Sequence, residues 1–204
     1  MKNKKIIIIC SLILMFIANT IVVLSGGYQD IDTIIRNTVM LYSSETVSKA
    51  MHVITFFGST YWIVALCALI FVFLLFKKKR SNAYSIASVL IFSTVVNNVI
   101  KLIIRRPRPE YISVVEHSFS YPSGHTMAAA TLYGFIIYLI SKSDILKKYK
   151  LIYSGVLALL IILVGLSRIY LGAHFFSDVF GGMIVSATVL VSFSLIDDYK
   201  KILE

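Results

Sequence analysis

SNAYSIASVLIFSTVVNNVIKLIIRRPRP, residues Ser81–Pro109, runs for twenty positions without a charge and then turns basic and proline-rich. About 20 apolar residues cross a bilayer core, so the run reads as a membrane-spanning helix that ends just past Lys101. Pro107 and Pro109 cannot continue a helix, which places its end near Arg106 and holds Arg108 on a stiff turn. Five further charge-free runs follow the same logic: Ile6–Leu24, Val53–Phe76, Thr126–Ser141, Leu151–Ser167 and Val179–Ile196. The expected fold is all-α, a polytopic membrane protein with six transmembrane helices in one domain, residues 1–204.

Composition agrees. Soluble domains carry about 25% charged residues; here the share is 15%, with 58% hydrophobic residues. Lys2, Lys4 and Lys5 before the first run resemble a signal peptide, but the run exceeds the usual length of such a core and no small-residue cleavage site follows, so a retained helix is expected. Cys10 and Cys67 lie within apolar runs, without metal or catalytic spacing, and read as packing residues. The net charge of +10 would suit nucleic acid, yet the cations sit where short cytoplasmic loops put them. With the N-terminus inside, Lys2–Lys5, Lys77–Arg80, Lys142–Lys150 and Lys200–Lys201 all fall inside, thirteen of the twenty cations. The expected location is the cell membrane, with both termini cytoplasmic.

Five of the other seven cations belong to three polar strings: KLIIRRPRP (Lys101–Pro109), PSGH (Pro122–His125) and SRIYLGAHFFSD (Ser167–Asp178). The direction of the spans brings all three to one face, the outer one. Ionisable groups at such depth are functional by default. The loop between the first two strings carries Tyr111, Phe119 and Tyr121, rings suited to the headgroup region, together with Glu116 and His117. Gly26–His52 reads as an outer segment holding an amphipathic helix, either a surface connector or a lid.

Each string has its own chemistry. Lys101 and Arg108 lie two helical turns apart, and with Arg105 they suit a phosphate or diphosphate, or else form a snorkelling cluster on anionic lipid heads. In PSGH, Ser123 and Gly124 open a helix whose free N–H groups form an anion site, with His125 in the first turn as proton donor or polar anchor. His174 and Asp178, four residues apart, are neighbours on one helical face, a carboxylate-oriented nucleophile or a self-satisfied pair. Arg168 reaches the same point if the chain turns at Gly172. Taken together the strings describe phosphoryl transfer through a phosphohistidine, with protein cations in the role of a metal. Asp178 is the one acidic residue within the strings, so no metal and no other cofactor is expected.

The strings resemble the three signature motifs of the type-2 phosphatidic acid phosphatase superfamily. Lys101, Arg108 and Pro109 match the first motif, Pro122, Ser123, Gly124 and His125 the second, and Ser167, Arg168, His174 and Asp178 the third. The resemblance implies His174 as nucleophile, Asp178 as its orienting partner and His125 as acid. It implies Lys101, Arg108, Ser123, Gly124 and Arg168 as phosphate ligands. The short chain is similar to the bacterial membrane branch, which acts on phosphatidylglycerophosphate or undecaprenyl diphosphate. The implied function is an integral-membrane phosphatase for a terminal lipid phosphate, with phosphatidic acid as a third substrate. Its partners are the bilayer and the lipid phosphate, without nucleic acid or an obligatory protein. Phosphotransfer to a lipid or sugar hydroxyl and transport of an anionic lipid are the competing functions. Arg105 and Arg106, as extra cations, favour a diphosphate.

Overall fold

The computed structural model describes residues 2–110, 118–143 and 147–203. The loop residues Tyr111, Glu116 and His117 lie outside them. Among the described residues there is no strand. The described residues form eight α-helices: α1 Lys2–Leu24, α2 Gln29–Leu41, α3 Glu45–Phe56, α4 Thr60–Phe76, α5 Arg80–Ile104, α6 Gly124–Lys142, α7 Lys150–Tyr170 and α8 Phe176–Leu203, with a 3-10 turn at Lys147–Tyr149 before α7. Five of them (α1, α5, α6, α7 and α8) are long and apolar enough to cross a membrane, and α3 with α4 makes a sixth, bent by 44° at its break. The chain is a multi-span membrane protein.

The expected second span, Val53–Phe76, is therefore broken rather than continuous. The physical reason is Gly58–Ser59: the Ser59 hydroxyl accepts from the Trp62 N–H at 3.4 Å and starts a new helix. The outer segment likewise divides into two helices, because Ser44 caps α3 by accepting from Val47 N–H. The third span stops at Ile104, two residues before the expected Arg106, with Arg105 in the left-handed conformation as its C-cap.

Helix α6 occupies the centre, packed against α4, α5, α7 and α8. Its small residues Ala129 and Ala130 are buried, and small residues let membrane helices approach closely. The core around it includes Ile63, Ile86, Leu132, Phe135, Val164 and Val185. Hydroxyls stitch the spans across this core: Ser93 of α5 bonds Thr131 of α6 at 2.8 Å, and Thr131 donates to Ser186 of α8. Helix α1 packs along α8, pinned at one end by Lys5 to Asp198 at 2.6 Å. At the other end the Tyr121 hydroxyl is held by Asn19 and Thr20. Tyr121 is thus buried rather than at the headgroup level, since α1 supplies partners for its hydroxyl.

Helix α2 lies against α7 and α8 with Ile31, Ile34 and Leu41 exposed, as an interfacial helix would. Its one buried residue is the charged Asp32. That inversion is explained by the site beneath it.

Candidate active site

The end of α5, the start of α6, the end of α7 and the start of α8 meet at one end of the bundle. A cavity of about 380 Å³ opens there, lined among others by Lys101, Arg108, Gly124, His125 and His174. The three strings therefore do converge. Arg108, between two prolines, reaches across the opening: Nε donates to Ser118 O at 2.7 Å, and Nη1 donates to Ala173 O at 2.8 Å. Lys101 in the last turn of α5 is buried, and its ammonium binds the carbonyls of Phe119 and Ser120, drawing that segment onto the helix end.

His125 stands in the first turn of α6, half-buried on the cavity wall. The start of α6 is positioned by two contacts: Ser123 N–H donates to Asp178 O at 3.1 Å, and Asn97 of α5 donates to Pro122 O at 3.3 Å. A Cβ added at Gly124 would meet nothing nearer than Asn97 Oδ1 at 3.4 Å, so the glycine leaves that volume to the cavity. Ser123 and Arg168 are buried in the wall rather than lining the opening. The Ser123 hydroxyl accepts from Thr126, and Arg168 Nη1 donates to Thr55 of α3 at 2.8 Å.

After α7 the chain turns at Gly172, whose φ of +67° is the left-handed region that glycine adopts without strain. The turn returns the backbone so that Ala173 N–H and His174 N–H both donate to Arg168 O. His174 then stands before α8, not on it, which corrects the expected shared helical face. Its partner Asp178 is in the first turn of α8, and Asp178 Oδ2 accepts from Phe175 N–H at 2.9 Å, one half of a capping box. This cap, rather than the four-residue helical repeat, brings the carboxylate to the imidazole.

His174 Nδ1 lies 3.5 Å from Asp178 Oδ2, long for a hydrogen bond. Ser120 fills the gap, its hydroxyl 3.3 Å from His174 Nδ1 and donating to Asp178 Oδ2. The other ring nitrogen, Nε2, lies 3.2 Å from Arg108 Nη1. An arginine only donates, so Nε2 carries the lone pair and Nδ1 the proton. Burial pushes the His174 pKa down from 6.5 to about 4; Arg108 and Arg168 add to the fall, against the upward pull of Asp178. The imidazole is neutral at physiological pH, with its basic nitrogen beside a cation of the cavity.

Three residues of this site were missed from the sequence: Ser120, Asp32 and the role of Arg106. Arg106 donates to Asp178 Oδ1 at 2.6 Å and to Asp32 Oδ2 at 2.9 Å, over the Phe175 ring. It is locked between two carboxylates, so it is not an extra phosphate ligand. Arg105 is exposed and its Nε donates to Leu102 O, so it does not join the face of Lys101. The case for a diphosphate built on those two arginines therefore falls. Among the described residues no group of three His, Cys, Asp or Glu side chains is placed to share a metal ion.

Residues 82–202, which hold all three strings, match the PAP2 superfamily. Over 176 residues the chain is 34% identical to phosphatidylglycerophosphatase B of Bacillus subtilis (strain 168), covering 84% of this chain and 86% of that protein. The crystal structure of a transmembrane PAP2 type phosphatidylglycerolphosphate phosphatase from Bacillus subtilis matches with a TM-score of 0.85 at 32% identity, over 95% of this chain and 96% of that one. The crystal structure of Aquifex aeolicus LpxE matches with a TM-score of 0.64 at 24% identity, over 81% and 94% of the two chains, a likeness of fold.

Proposed function

The chain belongs to the PAP2 superfamily, and from that premise we propose that it is an integral-membrane phosphatase that removes the terminal phosphate of a lipid headgroup through a phosphohistidine. What carries the reading is His174: neutral, oriented through Nδ1 by Ser120 and Asp178, and with Nε2 beside Arg108 at the cavity. The phosphate lies against Lys101, Arg108 and the start of α6 at Gly124, where Ser123, its own N–H held by Asp178 O, fixes the turn into the helix. Arg168 completes the set from the wall. Nε2 attacks phosphorus as the bond to the lipid oxygen breaks, and His125 gives that oxygen its proton. A water then attacks the phosphorus and gives a proton to His125, the phosphorus–nitrogen bond breaks, and inorganic phosphate leaves. The protein cations neutralise the transferred charge, and no metal is assigned a step.

In this reading the cavity end of the bundle faces outward and both termini are cytoplasmic, which the clustering of thirteen of the twenty cations on the other side supports. Phosphatidylglycerophosphate is the first-ranked substrate, on the likeness to the Bacillus subtilis phosphatase, ahead of undecaprenyl diphosphate and phosphatidic acid. The test is phosphate release from these three lipids by purified protein in detergent with EDTA. Wild type is expected to release phosphate without an added acceptor, and His174→Ala to lose nearly all of it. An absolute need for Mg²⁺ would refute the metal-free mechanism. Release only with an acceptor alcohol would make the protein a phosphotransferase. No turnover of any lipid phosphate would sink the proposal.

A further inference from the structure

Asp32 is separated from the signature strings by about seventy residues, yet it is 3% exposed and accepts three hydrogen bonds from two residues of the site. Its Oδ2 accepts from Arg106 Nη2 at 2.9 Å and from the Ser177 hydroxyl at 2.7 Å, and its Oδ1 accepts from Ser177 N–H at 3.0 Å. Arg106 in turn donates through Nη1 to Asp178 Oδ1 at 2.6 Å and to Ser177 Oγ at 2.7 Å. The order is Asp32, Arg106, Asp178, His174: two carboxylates share one guanidinium, and the second of them faces the imidazole.

The charges decide what this arrangement does. Attack through Nε2 makes His174 cationic, with Arg108 and Arg168 already acting on it as positive charges. Asp178 is its counter-charge, but an arginine 2.6 Å away would cancel that charge if it stood alone with it. Asp32 supplies the second negative charge, so the triplet Asp32–Arg106–Asp178 sums to one negative charge at a buried position. Arg106 meanwhile holds Oδ1 and leaves Oδ2 to Ser120, Phe175 N–H and His174.

We infer that Asp32 is a positioning residue for the reaction at His174, acting through Arg106 to keep Asp178 electrically uncompensated and its Oδ2 turned to the histidine. The inference rests on the phosphatase reading above. It gives α2 a task beyond connecting spans: the helix brings one carboxylate to the start of α8 and caps that helix from a distance, since Ser177 N–H is one of its orphan donors.

The experiment measures kcat and KM for release of phosphate from dioctanoyl phosphatidic acid by wild type, Asp32→Asn, Asp32→Glu, Arg106→Gln and the double variant Asp32→Asn/Arg106→Gln, each checked for its thermal midpoint in detergent. Asp32→Asn leaves Arg106 to neutralise Asp178, and kcat is expected to fall about tenfold or more with KM within about threefold, as no phosphate ligand is touched. Asp32→Glu keeps the charge and is expected to stay within about threefold of wild-type kcat. The double variant restores one net negative charge and is expected to exceed Asp32→Asn in kcat by about threefold or more. A merely structural Asp32 predicts the opposite, a double variant no better than either single one.

Wild-type kcat in Asp32→Asn, or a double variant no faster than Asp32→Asn, overturns the inference. If Asp32→Asn does not fold, Asp32→Glu and the double variant decide: a Glu variant with under a tenth of wild-type kcat, or a double variant slower than Arg106→Gln, overturns it. If wild type does not turn over phosphatidic acid, the series is run on whichever of the three lipids it does hydrolyse; a wild type that releases phosphate from none of them refutes the phosphatase reading itself, and an active wild type with an indifferent Asp32 refutes this inference alone.

Discussion

Replacing Ser120 by alanine tests whether the histidine is oriented through a hydroxyl bridge. Ser120 is fully buried, with Oγ 3.3 Å from His174 Nδ1 and its proton on Asp178 Oδ2. In the resting enzyme the Nδ1–H to Oγ bond joins neutral groups, worth about 1 kcal/mol net. In the proposed phosphohistidine step the donor becomes an imidazolium, and a charge-assisted bond is roughly twice as strong. The transition state thus gains about 1 kcal/mol that the ground state lacks. At about 1.4 kcal/mol per decade, that is a fall of roughly fivefold in kcat for Ser120→Ala. The loss is bounded because Asp178 already stands 3.5 Å from Nδ1 and can close on it directly. KM is expected to stay within about twofold, since Ser120 does not line the cavity. Steady-state phosphate release from a short-chain lipid phosphate, with the thermal midpoint checked in the same detergent, measures both. A kcat within twofold of wild type in a folded Ser120→Ala variant would refute the bridge. A fall beyond about a thousandfold would assign Ser120 a direct part in the chemistry.

At Gly181 an added Cβ would sit 2.7 Å from Tyr121 Cε2, against a buried ring stacked on Phe16 and fixed by Asn19 and Thr20. Gly181→Ala is expected to destabilise by about 1–3 kcal/mol, whereas Gly155→Ala, with nothing within 4 Å, is neutral or stabilising; equal thermal midpoints for the two variants would contradict this packing. The His174 pKa, lowered to about 4 in the folded protein, makes folding pH-dependent: between 6.5 and 4 the unfolded chain binds a proton that the folded one refuses, so this stability is present above 6.5 and lost as pH falls. Wild type is expected to lose more of its thermal midpoint from pH 7 to 4.5 than His174→Asn, and parallel curves would disprove it. The acid limb of kcat/KM, corrected for titration of the substrate phosphate near pH 6, is expected nearer 4 than 6.5.

The spans were legible because a bilayer imposes a length and forbids charge, and both are visible one residue at a time. What the apolar runs concealed was the break between α3 and α4. Phe57–Gly58–Ser59 is apolar enough to pass as span, yet it carries a glycine and an N-cap serine. At Gly58 a Cβ would meet Val164 Cγ1 at 2.5 Å and His125 O at 3.2 Å, so the break also admits the α6–α7 contact that carries His125. Tyr121 misled for the converse reason: an amphipathic ring near a span end suits the headgroups, unless another span offers its hydroxyl a partner, and α1 does.

The three strings were legible because their spacing is local, within nine residues for the first string and twelve for the third. What disciplines them is not local. Asp32 reaches Ser177 across 145 positions, and Arg106 reaches Asp178 across 72. No helical or strand period relates such pairs. The available signal was chemical rather than positional: an acidic residue, Asp32, beside the apolar Ile31, Ile34 and Ile35 of an amphipathic helix, and an arginine in a basic string that already held enough cations for one phosphate. Read for charge balance, a buried surplus cation requires a buried anion. Asp178 alone cannot serve both Arg106 and a cationic His174, so a second carboxylate is needed, and among the described residues at this end Asp32 is the one that reaches Arg106.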